Sequence, residues 1–376
     1  MKILVYSWRD PKHPLAGGAE QVVHEHMKAW INAGHTVTLF SSYTNGLPRK
    51  EKIDGVNIVR SGYQYLGVQL AGFFHYLKNK DKYDFVVDQF HGIPFFTPLY
   101  SIKPKLAILQ EVAREVWLKN PLPKPINWIV GYIGYFGEFF VYQIYRIFGV
   151  HFMVGSESAK QDLEKIGIDS KNISIVHHGV KLIKLTKIPK KERTKTICFL
   201  GVLSKDKGIE DALKTFSLLS EKGHYQFWVI GRPETEEYFN RLKKLIKNYK
   251  IKIKFWGFVS NQKKFELLAR SHVMLNPSIL EGWGLVNIEA NAMGTPVVAY
   301  KSPGLVDSVK HNESGLLVNK NTPEELAKSI NSLLKNNKLY KKLRKGSVEW
   351  SKKFDWKKSS KESLELIEEL HSSDTH

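Results

Sequence analysis

Residues Asn276–Tyr300 read NPSILEGWGLVNIEANAMGTPVVAY, and the fold follows from this stretch. An apolar run ends at Asn276, and Pro277, which has no N–H to give a strand ladder, marks a turn. Gly282 and Gly284 punctuate the loop Glu281–Gly284 before helical periodicity sets in over Leu285–Ala292. Gly294 sits where a helix stops, and Pro296–Tyr300 reads as another strand. Strand, glycine-bearing turn, helix, strand is the repeat of an open parallel sheet with helices on its faces.

The same stretch carries chemistry. Glycines at the turn let a backbone pass close to a ligand, and a helix N-terminus presents N–H groups with positive dipole charge, which suits a diphosphate. Glu281 stands at the lip of the loop, and Glu289 lies in the helix, where a carboxylate can accept from the vicinal hydroxyls of a ribose. A plain helix capped by glycines, with surface carboxylates, fits these residues equally well.

Moving outward, the pattern recurs on both sides. Lys2–Tyr6 is a strand, Gly17 and Gly18 follow in a loop, Ala19–Ala33 is a helix with Gly34 at its end, and Thr36–Ser41 returns as a strand. Phe85–Asp88, Lys105–Leu109 and Phe152–Val154 continue the series. The polar, lysine-rich stretch Lys181–Lys195, with Pro189, reads as a linker. The series then restarts with Thr196–Leu200, helix Ile209–Leu219, Gln226–Ile230, Lys252–Phe255 and Val273–Asn276. Two Rossmann-like domains of doubly wound parallel sheet are expected, over 1–180 and 181–354, with a ligand cleft between them. Phe354–Leu370 reads as a closing helix.

Composition narrows the class. The 376 residues are 42% hydrophobic, enough for real cores, and Cys198 is the one cysteine, so neither a disulfide nor a zinc–cysteine cluster is expected. The opening MKILVYSW reads as a buried strand instead of a leader, and a cytoplasmic setting is expected. The net charge of +20 is mostly lysine and is spread widely, with dense runs at Lys187–Lys195 and Lys335–Lys345. A solvated lysine face or attraction to an anionic membrane fits this better than nucleic acid, which calls for arginine and stacking aromatics concentrated on one element. The segment Ile126–Gly149 is apolar and aromatic but holds Glu138, Gln143 and Arg146, so it is not a spanning helix. It reads either as a buried helix pair or as a face that touches lipid. The stretch Gly201–Gly208, GVLSKDKG, lacks the spacing of a dinucleotide fingerprint, and no Walker lysine loop occurs.

Glu281 and Glu289, inside EGWGLVNIEA, resemble the E-x7-E motif of the family-4 retaining glycosyltransferases of GT-B fold. The resemblance runs along nearly the whole chain. It takes in GGAE at Gly17–Glu20, GHTV at Gly34–Val37, SESAKQDL at Ser156–Leu163 and HHGV at His177–Val180, then the pair Lys207–Gly208, WGFVS at Trp256–Ser260, GTPVVAY at Gly294–Tyr300 and GLLV at Gly315–Val318. It implies transfer of a sugar from a nucleotide-sugar donor to an acceptor. Glu289 would grip the donor ribose and Glu281 would face the sugar. The amides of Gly282, Trp283, Gly284 and Leu285 would surround sugar and phosphate, with Gly201 beside them. Lys207 would neutralise the leaving diphosphate, and Phe258 and Val259 would meet the base. Gly17 and Gly18 would serve phosphate and acceptor, and the chain's end would cross back onto the N-terminal domain.

No Asp-x-Asp metal handle occurs, so neither metal nor cofactor is expected. Relatives place an arginine where this chain has Val202, a gap that Lys205 or Arg232 would fill, and a histidine where it has Gln110, with Glu111 and His91 the nearest titratable substitutes. Charge and the Ile126–Gly149 segment point to a polyprenyl-linked or surface-glycan acceptor at the inner membrane face. A nucleotide-sugar epimerase, or a sugar-nucleotide-binding protein without catalysis, are the alternatives.

Overall fold

The computed structural model describes residues 1–64, 67–90, 92–113, 117–118, 124–180, 189–279 and 281–373. They form two compact units, Met1–Gly179 with Trp356–His376, and Val180–Asp355.

The first unit runs β1 (Lys2–Tyr6), α1 (Gly18–Asn32), β2 (Thr36–Ser41), β3 (Lys50–Ile53), β4 (Val56–Arg60), α2 (Val68–Asn79), β5 (Phe85–Phe90), β6 (Lys105–Leu109), α3 (Ile126–Ile147), β7 (His151–Val154), α4 (Glu157–Ile166) and β8 (Ile173–Ile175). Its sheet has the order β3-β4-β2-β1-β5-β6-β7-β8. Alternation along each strand divides the core into two layers, because successive side chains leave opposite faces. Ile3 and Val5 pack with Val23, Met27 and Trp30 of α1, whereas Leu4 and Tyr6 pack with Val68 and Tyr76 of α2.

The second unit runs β9 (Lys195–Leu200), α5 (Ile209–Ser220), β10 (Tyr225–Ile230), α6 (Glu236–Tyr249), β11 (Lys254–Gly257), α7 (Asn261–Arg270), β12 (Val273–Asn276), α8 (Leu285–Ala292), β13 (Val297–Ala299), α9 (Leu305–Ser308), β14 (Gly315–Leu317), α10 (Pro323–Lys335) and α11 (Asn337–Ser351). Its sheet is all parallel in the order β11-β10-β9-β12-β13-β14. The last helix, α12 (Trp356–Ser373), returns to the first unit. There Leu366 and Ile367 join the α1 layer, each burial worth about 1.5–3 kcal/mol. Ser363 hydrogen-bonds His26 at 2.9 Å and accepts from the Trp30 indole at 3.2 Å.

Four expectations need correction. The first sheet is mixed, because β3 pairs antiparallel with β4 through a tight turn at Asp54 and Gly55, both at positive φ. The strand expected at Lys252–Phe255 lies at Lys254–Gly257. The segment Ile126–Gly149 holds one helix, α3, instead of a buried pair, and much of its outer face is exposed. The lysine-rich linker is not wholly solvated. Residues 181–188 lie outside the described residues, but Lys191 is half-buried, and its ammonium donates to the Ser271 carbonyl and to Thr295 Oγ1, both at 2.6 Å.

Candidate functional site

In the second unit β9 lies between β10 and β12, so the loops leaving β9 and β12 diverge to opposite faces of the sheet. Such a reversal of strand order opens a crevice at the carboxyl ends of the strands. The two loops are laced together. The Ile279 amide donates to the Asp206 carbonyl at 2.9 Å, and Gly208, at φ 69°, packs so tightly on Pro277 that a side chain would collide with its carbonyl. Across this junction Lys207 Nζ lies 3.1 Å from Glu281 Oε1, and Ser278 Oγ donates to the same oxygen at 3.1 Å. Both charged side chains keep some access to solvent, 27% for Lys207 and 17% for Glu281. A pair this exposed contributes about 0–1 kcal/mol to stability. Its consequence is geometric, a cation and a carboxylate held at one point of the crevice.

The helix that follows is aimed at the same place. Gly284 caps α8 in the left-handed conformation with no side chain to accept from the first N–H groups, so that end keeps its positive dipole. A buried chain of hydrogen bonds fixes its orientation. Asn276 Nδ2 donates to Asn287 Oδ1 at 2.8 Å, Asn287 Nδ2 to Ser308 Oγ at 2.9 Å, and Ser308 Oγ to the Gly304 carbonyl at 2.9 Å. Gly304 in turn packs on the Glu281 backbone, where a Cβ would clash. Glu289 is 14% exposed, and its Oε1 accepts from Lys264 Nζ at 2.5 Å. Burial pushes its carboxyl up, and the charge and hydrogen bond of Lys264 pull it back. Ser260 caps α7 and so sets Lys264 in the first turn of that helix.

The remaining expected residues divide. Gly201 packs against Gly231, which can carry no Cβ there, while Val202, Lys205 and Arg232 are exposed nearby in sequence. Phe258 is 84% exposed on the loop after β11, and Val259 is half-buried against the core. Trp283 contributes at most its backbone to a ligand, because its ring is buried with Val180, Ile288 and Phe354. Leu285 packs on the same cluster. In the first unit Gly17 caps α1, its amide donating to Glu20 at 2.7 Å, and Gly17 and Gly18 are both exposed. Gln110, just past β6, accepts from His178 Nε2 at 2.8 Å, so its carbonyl oxygen is engaged by a buried imidazole. Glu111 is half-buried beside it, and His91 lies outside the described residues. Among the described residues no group of His, Cys, Asp or Glu is placed to hold a metal ion.

Sequence reasoning overlooked Lys264 and His178, the partners of Glu289 and Gln110. Each pairing joins residues far apart in the chain, and no local pattern marks it.

Comparison with known proteins bears on the family and the fold. Residues 16–183 match the family described as Glycosyltransferase Family 4, and residues 181–350 match Glycosyl transferases group 1. An uncharacterized glycosyltransferase of Methanocaldococcus jannaschii is 30% identical over 228 residues, 57% of each chain. The chain spans about half the length of the curated relatives it matches. Sucrose-phosphate synthase from Thermosynechococcus elongatus superposes with a TM-score of 0.80 at 19% identity, over 99% of both chains. HepE of Anabaena, solved in complex with UDP-glucose, superposes with a TM-score of 0.72 at 16% identity, over 98% of this chain and 100% of that one. Both likenesses bear on the fold alone. With its two family matches tiling residues 16–350, the chain belongs to the family-4, group 1 glycosyltransferases of GT-B fold.

Proposed function

We propose that the chain moves a sugar from a nucleoside-diphosphate donor to a lipid-linked or surface-glycan acceptor, with retained anomeric configuration and without a metal ion. The observation that carries this reading is the junction of Lys207, Glu281 and the start of α8, whose cap residue Gly284 offers no side-chain acceptor. Breaking the anomeric C–O bond leaves negative charge on the diphosphate and positive character on the sugar. Lys207 and the amides of Gly282 to Leu285 meet the first, and Glu281 faces the second. Fixed donors stabilise such charge without reorganising, which is commonly the largest catalytic effect. The acceptor oxygen attacks the face the diphosphate leaves, its proton passes to the departing phosphate oxygen, and no protein nucleophile is needed.

Glu289 holds the ribose hydroxyls, and Phe258 and Val259 meet the base. Arg232 and Lys205 stand in for the arginine that Val202 replaces. In the first unit Gly17, Gly18, Gln110, Glu111 and His91 are assigned to the acceptor and the transferred sugar. The net charge of +20 and the exposed apolar face of α3 support a position on the anionic inner face of a membrane, and no helix among the described residues is long and apolar enough to cross one. The UDP-glucose complex of HepE supports a nucleotide-sugar as donor.

Titration calorimetry with UDP-glucose and a panel of other nucleotide sugars tests the reading. One donor should bind saturably, and Glu289→Ala should weaken it roughly ten- to a hundredfold, the worth of a charge-assisted hydrogen bond. Absence of saturable binding across the panel would refute it. Binding without transfer to any acceptor would favour a sugar-nucleotide-binding protein.

A further inference from the structure

α3 has two unlike faces. Inward, Tyr142 and Tyr145 are buried against Phe90, whose ring lies 5.5 Å and 4.7 Å from theirs. Outward, Trp128, Ile129, Tyr132, Ile133, Phe136 and Phe140 are all more than half exposed. A soluble surface rarely shows so much contiguous apolar area without a partner for it. At the edge between these faces lies a cavity of about 330 Å³, walled by Ile93, Phe96, Trp117 and Val141. Gly134 and Gly137 leave room for it by having no side chains. Trp117 covers Gly134, whereas a Cβ on Gly137 would meet nothing within 4 Å.

The lining says what kind of molecule fits. Among the described residues its one charged side chain is Glu138, whose Oε1 is turned to the Ala113 amide at 2.8 Å and to the Tyr142 hydroxyl at 3.4 Å. A carboxylate held in this way gives a ligand little polar purchase. The remaining wall is aromatic and aliphatic, so it selects hydrocarbon. A second copy of this chain would be repelled, because each molecule carries +20. Cations instead stand at both ends of α3, Lys124 with its ammonium 5.2 Å from the Trp128 ring and Arg146 in the last turn. An amphipathic helix with aromatics and terminal cations is the form that settles at an anionic lipid interface.

We infer that this cavity receives the head-proximal carbons of the acceptor's aliphatic chain, drawn from the membrane on which the outer face of α3 rests. The inference builds on the proposed transferase reading and specifies its acceptor as an amphiphile recognised through its tail.

The test uses full-length protein and n-butyl, n-octyl and n-dodecyl phosphate, each below its micellar concentration. Affinity should rise about fourfold per added methylene until the cavity is full, the effect of removing one CH₂ from water. Gly137→Leu fills the cavity and should abolish that dependence on chain length. The same variant should still bind UDP-glucose and still sediment with phosphatidylglycerol vesicles, since the crevice of the second unit and the outer face of α3 are untouched. Gly137→Ala should give an intermediate loss. Equal affinity for the butyl and dodecyl compounds, or undiminished dodecyl binding in Gly137→Leu, would overturn the inference, and the chain-length series on the unaltered protein needs no variant. Failure of UDP-glucose and every other nucleotide sugar to bind unaltered protein would refute the transferase reading and leave the chain-length result standing.

Discussion

The carbonyl oxygen of Pro277 occupies the space that a Cβ on Gly208 would need. This contact, with the amide bond from Ile279 to Asp206, seats the turn after β9 on the loop after β12 and carries Lys207 to Glu281. Position 208 is therefore closed to any side chain twice over, by its neighbour and by a φ of 69°.

Gly208→Ala should cost about 1–3 kcal/mol from backbone strain alone, with more from the collision. Urea unfolding would measure this, and donor affinity should fall in parallel because Lys207 is displaced. An unchanged unfolding midpoint would mean that the turn can move away without penalty.

Lys207→Met keeps much of the stem and removes the cation. The ion pair it breaks is partly exposed, so stability should change by less than about 1 kcal/mol. Turnover should fall about 10²–10³-fold, the range seen when one fixed donor to developing charge is lost. Steady-state rates with saturating donor would check this, and near-normal turnover would remove Lys207 from the mechanism.

His26 and His178 give the fold an acid limit. Burial pushes His26 down to about 4 and His178 down to about 3, His178 being opposed also by charge on His26 and His177. In the unfolded chain each titrates near 6.5. Below that pH the unfolded state takes up protons that the folded state refuses, so stability is complete above about pH 6.5 and falls as pH drops toward 4. Each histidine contributes a slope of up to about 1.4 kcal/mol per pH unit. Urea midpoints of His178→Gln should fall less steeply across this window than those of the parent, and parallel curves would contradict the assignment.

Lys191 acts in a higher window. Burial, with the charge of Arg344, pushes its ammonium down to about 7, whereas an unfolded lysine titrates near 10.4. Stability should therefore rise as pH increases from about 7 toward 9, because the unfolded chain holds a proton that the folded chain has given up. Lys191→Met should flatten that rise, which urea midpoints at a few alkaline pH values would show.

The central strands were legible because they are short apolar runs, several ending at glycine or proline, and local residues suffice to specify them. Asn276–Tyr300 folds almost as read, β12, α8 and β13 appearing within a residue or two of their expected limits. The β3–β4 hairpin escaped notice although Asp54-Gly55 is a strong turn signal, because β3 is short and mostly polar and gives no apolar run to pair with β4. For Ile126–Gly149 apolar periodicity could not tell a buried face from an exposed one, since both are rich in the same side chains. The crevice was legible as far as Glu281, Glu289 and Lys207. The pairs Lys264–Glu289 and His178–Gln110 were not, because they depend on contacts between segments that only the folded sheets bring together.

The return of α12 to the first unit has a consequence for synthesis. A ribosome releases residues 180–355 as an uninterrupted block that can mature while the last helix is still untranslated. The layer around Trp30 and Val23 must wait, its apolar floor uncovered, until Leu366 and Ile367 emerge. The half of the molecule that is made first is thus completed last, and a premature stop before residue 356 would strand it unfinished beside a mature neighbour.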